Sequence, residues 1–143
     1  MQIRTRMCMS ADGYVTTPDG WPAQLADPAF VPGESYGFPE FQESCDAALM
    51  GRTTFEPALG ADRWPWPNLD VFVLGSQRPS GTPDEVVIES DPALLLEKIR
   101  TANRGGDVHL VGGPRTIETF RALESERALE GGSVEIVYAC NGV

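Results

Sequence analysis

The amino-acid sequence predicts a single α/β domain built on a largely parallel sheet. Its length of 143 residues suits one domain covering residues 1–143. Short apolar runs of strand length recur along it, and between them lie segments with helix start signals and helical spacing. Strands that alternate with helices favour parallel pairing.

The elements follow in order. Residues 3–9 alternate as a strand does, and Ser10-Ala11-Asp12-Gly13 turns into Tyr14-Val15-Thr16. From Thr17 to Gly37 the chain is rich in Pro, Gly and Asp without a period, as expected of a long functional loop. Phe38, Phe41 and Cys45 stand at helical spacing and predict a short helix over 38–45. Asp46–Met50 reads as a buried strand, and Thr53 with Glu56 fits a capping box that starts a helix. Val71–Leu74 and Glu85–Ile88 are further strands. Asp91 followed by Pro92 is an N-cap with proline at the first helical position, and Leu95, Ile99 and Ala102 give that helix an apolar stripe. Gly105-Gly106 closes it, and Val108–Val111 is a strand broken by Gly112-Gly113. Pro114 opens a helix with Ile117, Phe120 and Leu123 inward, and Val134–Tyr138 is the last strand.

Composition narrows the function. A formal net charge of −10 disfavours nucleic acid and anionic lipid as partners. Local arginines and helix N-termini still permit a phosphate-bearing ligand, because screening limits the reach of distant charge. The apolar runs are too short and broken for a membrane span, and the first residues lack a signal peptide's apolar core. The three dispersed cysteines, Cys8, Cys45 and Cys140, suit reduced, buried thiols in a cytoplasmic protein. No GxGxxG occurs, so the usual dinucleotide fingerprint fails, and no P-loop, HExxH, EF-hand loop or paired CxxC occurs, so no metal site is expected.

Three strands end in glycine or a Gly-Arg or Gly-Gly pair, and two of these lead into helices, at 51–53 and 112–116. Bare backbone lets an anion approach, and the unpaired N–H groups and dipole of a helix start attract it. Ligands of open α/β sheets sit at the carboxyl ends of strands. Two such corners on one edge suit a dinucleotide pyrophosphate, and Arg52 and Arg78 offer charge for a further phosphate. Singly, each motif is better explained as a tight turn or a solvated arginine; the set favours a phosphate-bearing ligand.

Four ordered blocks carry a family resemblance. They are Ser10-Ala11-Asp12-Gly13-Tyr14-Val15, Met50-Gly51-Arg52-Thr53-Thr54-Phe55-Glu56, Val73-Leu74-Gly75-Ser76-Gln77-Arg78-Pro79 and Val108-His109-Leu110-Val111-Gly112-Gly113-Pro114. Together they resemble the dihydrofolate reductase superfamily over roughly residues 1–138. The nearer branch resembles the reductase domain of the bifunctional riboflavin-biosynthesis deaminase/reductase. The resemblance implies a dihydrofolate-reductase-like fold and an NADPH-dependent reductase of a small pterin-like, aminopyrimidine or other carbonyl or imine substrate. Gly51, Arg52 and Thr53 would then contact cofactor phosphates. Ser76, Gln77 and Arg78 would lie along the adenosine side, near its 2′-phosphate. Gly112 and Gly113 would form the family's glycine pair, often joined by a cis peptide. Thr116 would cap the helix beneath the pyrophosphate, and the loop from Thr16 to Trp21 would cover the nicotinamide.

On the substrate side, Asp12 and Glu40 are the candidate catalytic carboxylates. Asp12 either orients a polar substrate or serves the turn with Gly13. Dihydrofolate reductases carry an acid on the helix where Glu40 and Glu43 fall, but the spacing to Gly51 is shorter here. Neither glutamate is equated with that acid, and exposed carboxylates are the favoured reading. The family continues past the last strand into a further hairpin, whereas this sequence stops at Val143. An open edge at 134–138 follows, and with it a homodimer whose interface includes part of 129–143, near Tyr138 and Cys140.

The sequence also offers two rival readings. Gly33-Glu34-Ser35-Tyr36-Gly37 matches a GxSxG elbow, but the proline-rich stretch before it is no strand. The single histidine, His109, falls in a buried strand, so a hydrolase using Ser35 is disfavoured. A nucleotide- or small-molecule-binding module on the same fold is the alternative to the reductase. Trp21, Trp64 and Trp66 could stack on a planar ligand, with surface packing the favoured reading of the Trp-Pro-Trp segment.

Overall fold

The computed structural model describes residues 1–8, 17–18, 38–127 and 134–139, with backbone only for 7–8, 121–127 and 134–139. The strands are β1 (Ile3–Cys8), β2 (Cys45–Gly51), β3 (Asp70–Leu74), β4 (Val87–Glu89), β5 (Asp107–Gly112) and β6 (Val134–Ala139). The helices are α1 (Phe38–Glu43), α2 (Arg52–Phe55), α3 (Pro92–Ala102) and α4 (Pro114–Arg127), with a 3-10 turn over Glu56–Gly60 after α2. The strands form one six-stranded sheet in the order β4-β3-β2-β5-β1-β6. Each neighbouring pair is parallel. The expected α/β architecture, a parallel sheet flanked by helices, is what the chain adopts.

The period of two along each central strand sends alternate residues to two cores. Ala47, Leu49, Phe72, Val108 and Leu110 face one side, where Leu95, Leu96 and Ile99 of α3 and Phe120 of α4 cover them. Ala48, Met50, Val71 and Val73 face the other, under Phe55, Trp66 and Val86. Burying a side chain such as Phe55 or Leu49 stabilises the fold by about 1.5–3 kcal/mol. Helix α3 starts where Asp91 accepts from the Ala93 N–H at 2.8 Å and the Leu94 N–H at 3.1 Å.

Several elements depart from the sequence reading. Cys45 opens β2 rather than ending α1, although its thiol still donates to the Phe41 carbonyl at 3.3 Å. Burial pushes that thiol's pKa up. Thr53 caps nothing, because α2 starts at Arg52 after an extended Gly51 and is a single turn. β4 covers 87–89 rather than 85–88, since Val86 turns into the core and its N–H closes a turn on Pro83. Leu96 completes the buried stripe of α3, while Ala102 at the frayed end is exposed. Trp66 is core rather than surface packing, with Trp64 edge-on to it at 5.4 Å. Among the described residues β6 stands at one end of the sheet and bonds to β1.

Candidate functional site

The strand order reverses between β2 and β5. From β2 the chain moves outward through β3 to β4, while β5 inserts beside β1 and the chain then crosses to β6 on the far side. The connections after β2 and β5 therefore diverge onto opposite faces of the sheet, α2 to one and α4 to the other. A crevice at the carboxyl ends of two such strands is where open α/β sheets bind ligands.

The residues at that crevice are glycines in register. Met50 is paired with Gly112, and Gly51 with Leu74, so Gly51, Gly112 and the start of the Gly75 loop stand side by side. Gly112 ends β5 at φ +145°, which L side chains rarely adopt, and its peptide to Gly113 is cis. Among the described residues a Cβ on either glycine would have no neighbour within 4 Å, so these residues leave open space before both. Helix α4 follows at once, its first bond running from the Ile117 N–H to the Gly113 carbonyl at 3.1 Å. The N–H groups of Arg115 and Thr116 precede that bond and belong to the helix's positive end.

Thr116 lies inside this first turn rather than at the cap, since Gly113 supplies the capping carbonyl. It is buried, and its Oγ1 lies against Gly51. Arg52 and Thr53 are exposed beside them. The Arg52 guanidinium bonds Glu56 at 2.8 Å, one helical turn on. Arg52 also packs close to the end of β3, with its Cβ 3.6 Å from where a side chain on Gly75 would begin. Ser76 and Gln77 are exposed on the loop after Gly75. Arg78 donates to the Val86 carbonyl at 3.0 Å and the Pro83 carbonyl at 2.6 Å, closing the 78–86 loop.

Sequence reasoning missed two groups here. Glu56, read as half of a capping box, is the partner of Arg52. Glu89 ends β4 and accepts from the Lys98 ammonium at 2.7 Å and from the Ser90 and Asp91 N–H groups. These bonds hold its carboxyl well below the usual range, at about 2. An i,i+4 Arg-Glu spacing in Arg52-Thr53-Thr54-Phe55-Glu56 was the available signal for the first. Nothing local marks the second, whose Lys98 partner lies on the next element.

The remaining expectations divide. Glu40 and Glu43 are exposed on α1, as the favoured reading had it. Asp12, Ser35, Trp21 and Cys140 lie outside the described residues. His109 is 2% exposed between Ala48 and Arg4 of the flanking strands, under the rings of Phe38 and Phe41. Neither of its nitrogens has a hydrogen-bond partner among the described residues. Burial lowers its pKa to about 4, so it packs as a neutral ring. Two cavities, about 460 and 330 Å³, share Trp66–Leu69 at the amino ends of β2 and β3, on the opposite edge from the glycines. Among the described residues no cluster of His, Cys, Asp and Glu could hold a metal, and no helix is long and apolar enough to cross a membrane.

Comparison with known proteins gives a structural answer. No family model and no curated protein matches the chain. Among solved structures it is similar to a protein assigned to riboflavin biosynthesis from Shewanella sp. PV-4. The two share 26% identity and a TM-score of 0.64, over 88% of this chain and 71% of that one. The likeness supports, at a coarse level, the family that the sequence blocks resemble.

Proposed function

We propose that the chain is an NADPH-dependent reductase that transfers hydride to a small pterin-like, aminopyrimidine or other carbonyl or imine compound. The observation that carries this reading is the meeting of Gly51 with Gly112-Gly113 at the strand-order reversal, backed by the start of α4. The residues present fit a dinucleotide. Open space before the glycine pair admits a diphosphate, and the N–H groups of Arg115 and Thr116 with the α4 dipole would hold its charge. Gly51 and Thr53 would flank it from β2, while Arg52, beside the Gly75 loop, would face the further phosphate. Ser76 and Gln77 would follow the adenosine, on a loop that Arg78 keeps ordered. NADPH would supply the hydride. The protein's part is to orient the cofactor face toward substrate and to exclude water. The similarity to a protein assigned to riboflavin biosynthesis favours a heterocyclic substrate.

A binding module on the same fold is the second reading, and a homodimer through the β6 edge is proposed for either. Calorimetric titration with NADPH and NADH, followed by turnover of a pterin, an aminopyrimidine and simple carbonyl compounds, separates them. Binding with turnover supports the reductase, binding without turnover supports the module, and no dinucleotide binding overturns the reductase and leaves the module only a different small molecule.

A further inference from the structure

The two arginines expected to read a phosphate have different employments. Arg78 spends its donors on the Val86 and Pro83 carbonyls of its own loop, at 3.0 and 2.6 Å. Those bonds are internal and need no ligand. Arg52 bonds one carboxylate, Glu56 at 2.8 Å, and both side chains are well exposed, at 50% and 39%. An exposed pair of this kind is weak and exchangeable, because water and salt compete for both partners. Arg52 also sits between the Gly51 corner and the Gly75 loop, whose N–H is bonded to the Glu89 carbonyl at 2.9 Å. The nearby acid at the end of β4 is already committed, since Glu89 is held by Lys98 and two N–H groups. Glu56 is thus the carboxylate that both aims the Arg52 guanidinium and offsets its charge.

We infer that Glu56 is a specificity-determining residue that sets how strongly this corner distinguishes a 2′-phosphorylated dinucleotide from an unphosphorylated one. The inference rests on the dinucleotide reading above. A phosphate arriving at Arg52 must share or displace the Glu56 carboxylate, and it also meets that carboxylate's repulsion. An unphosphorylated ribose meets neither. The carboxylate therefore opposes the phosphorylated form and leaves the other nearly untouched. Its removal widens the preference, whereas loss of Arg52 abolishes it.

The test is a double-mutant cycle on the full chain, with Glu56→Gln, Arg52→Gln and both together, titrated with NADPH, NADH, 2′,5′-ADP and 5′-AMP. Glu56→Gln is expected to tighten NADPH and 2′,5′-ADP about threefold, within the range of an exposed pair, and to change NADH and 5′-AMP less than twofold. Arg52→Gln is expected to weaken the phosphorylated ligands about tenfold, and Glu56→Gln is expected to have no further effect in that background. Thermal unfolding of each variant gives a separate measure of the pair's role in α2. An unchanged NADPH-to-NADH ratio in Glu56→Gln, or an effect that persists without Arg52, overturns the inference while leaving dinucleotide binding standing. Failure of the parent to bind any of the four ligands overturns the dinucleotide reading, and the inference with it.

Discussion

The hydroxyl oxygen of Thr116 lies 2.6 Å from the point where a Cβ on Gly51 would stand. No real Cβ tolerates that distance, so the end of β2 and the first turn of α4 touch only because residue 51 is glycine. The contact joins the end of β2 to the helix that follows β5.

Gly51→Ala should therefore push α4 away from β2. Thr116 is buried, so its hydroxyl has little room to turn aside. The expected cost is about 1–3 kcal/mol in urea unfolding, with NADPH affinity reduced at least tenfold. Adding Thr116→Ala should recover much of the stability. A Gly51→Ala protein as stable as the parent, with or without Thr116, would show that the contact is not a constraint.

Asp91→Ala should cost about 1 kcal/mol, the usual worth of an N-cap, and leave dinucleotide binding unchanged. Both bonds of the cap are local to α3, whose buried Leu95, Leu96 and Ile99 still dock on the sheet. Loss of binding in parallel with stability would place α3 closer to the ligand than the fold suggests.

Stability should fall on acidification through the titration of His109. Its folded pKa, about 4, lies below the ordinary 6.5, so the unfolded chain takes up the proton first. Stability is full above pH 6.5 and declines toward pH 4, by about 3 kcal/mol if the shift is realised in full. Glu89 also loses its contribution in acid, but in a lower window, from 4.5 down to about 2. Urea midpoints across pH should show the upper slope in the parent and not in His109→Leu. An equal slope in both would assign it to other groups.

The edge strand gives a further expectation. Among the described residues β6 pairs on one side with β1, leaving the other side of a Val-Glu-Ile-Val-Tyr-Ala segment available to a second chain. Light scattering at tens of micromolar should report a dimer, and Val137→Lys should shift it to monomer. A parent that is monomeric at that concentration refutes the pairing.

Much of this fold was legible because its signals are local. The Asp91-Pro92 pair fixed the start of α3, and the apolar run at Val71–Leu74 fixed β3 to within one residue. The Gly112-Gly113 pair and Gly51 were readable as strand ends because bare backbone before a helix has few other uses. What was not legible depends on partners distant in the chain. Thr53 and Glu56 looked like a capping box, and only the buried Phe55 shows that the turn is anchored from its other end. Arg78 looked like a free cation until the fold of residues 83–86 brought their carbonyls to it. Trp66 read as surface because it stands in a Trp-Pro-Trp loop, yet it packs in the core with Phe55, Val71 and Val86.

The position of β5 has a consequence for how the chain is made. It separates β1 from β2, and its first residue, Asp107, accepts from the Gln2 N–H across 105 residues of sequence. During synthesis β2 can pair with β3 early, whereas β1 has neither of its final neighbours, β5 and β6, until residues 107–112 and then 134–139 leave the ribosome. The central sheet therefore closes late and by insertion, against a long loop-closure cost. For most of translation the N-terminal strand has no native partner on either side, and in the cell that interval is when the polypeptide is most exposed to misassembly and to chaperones.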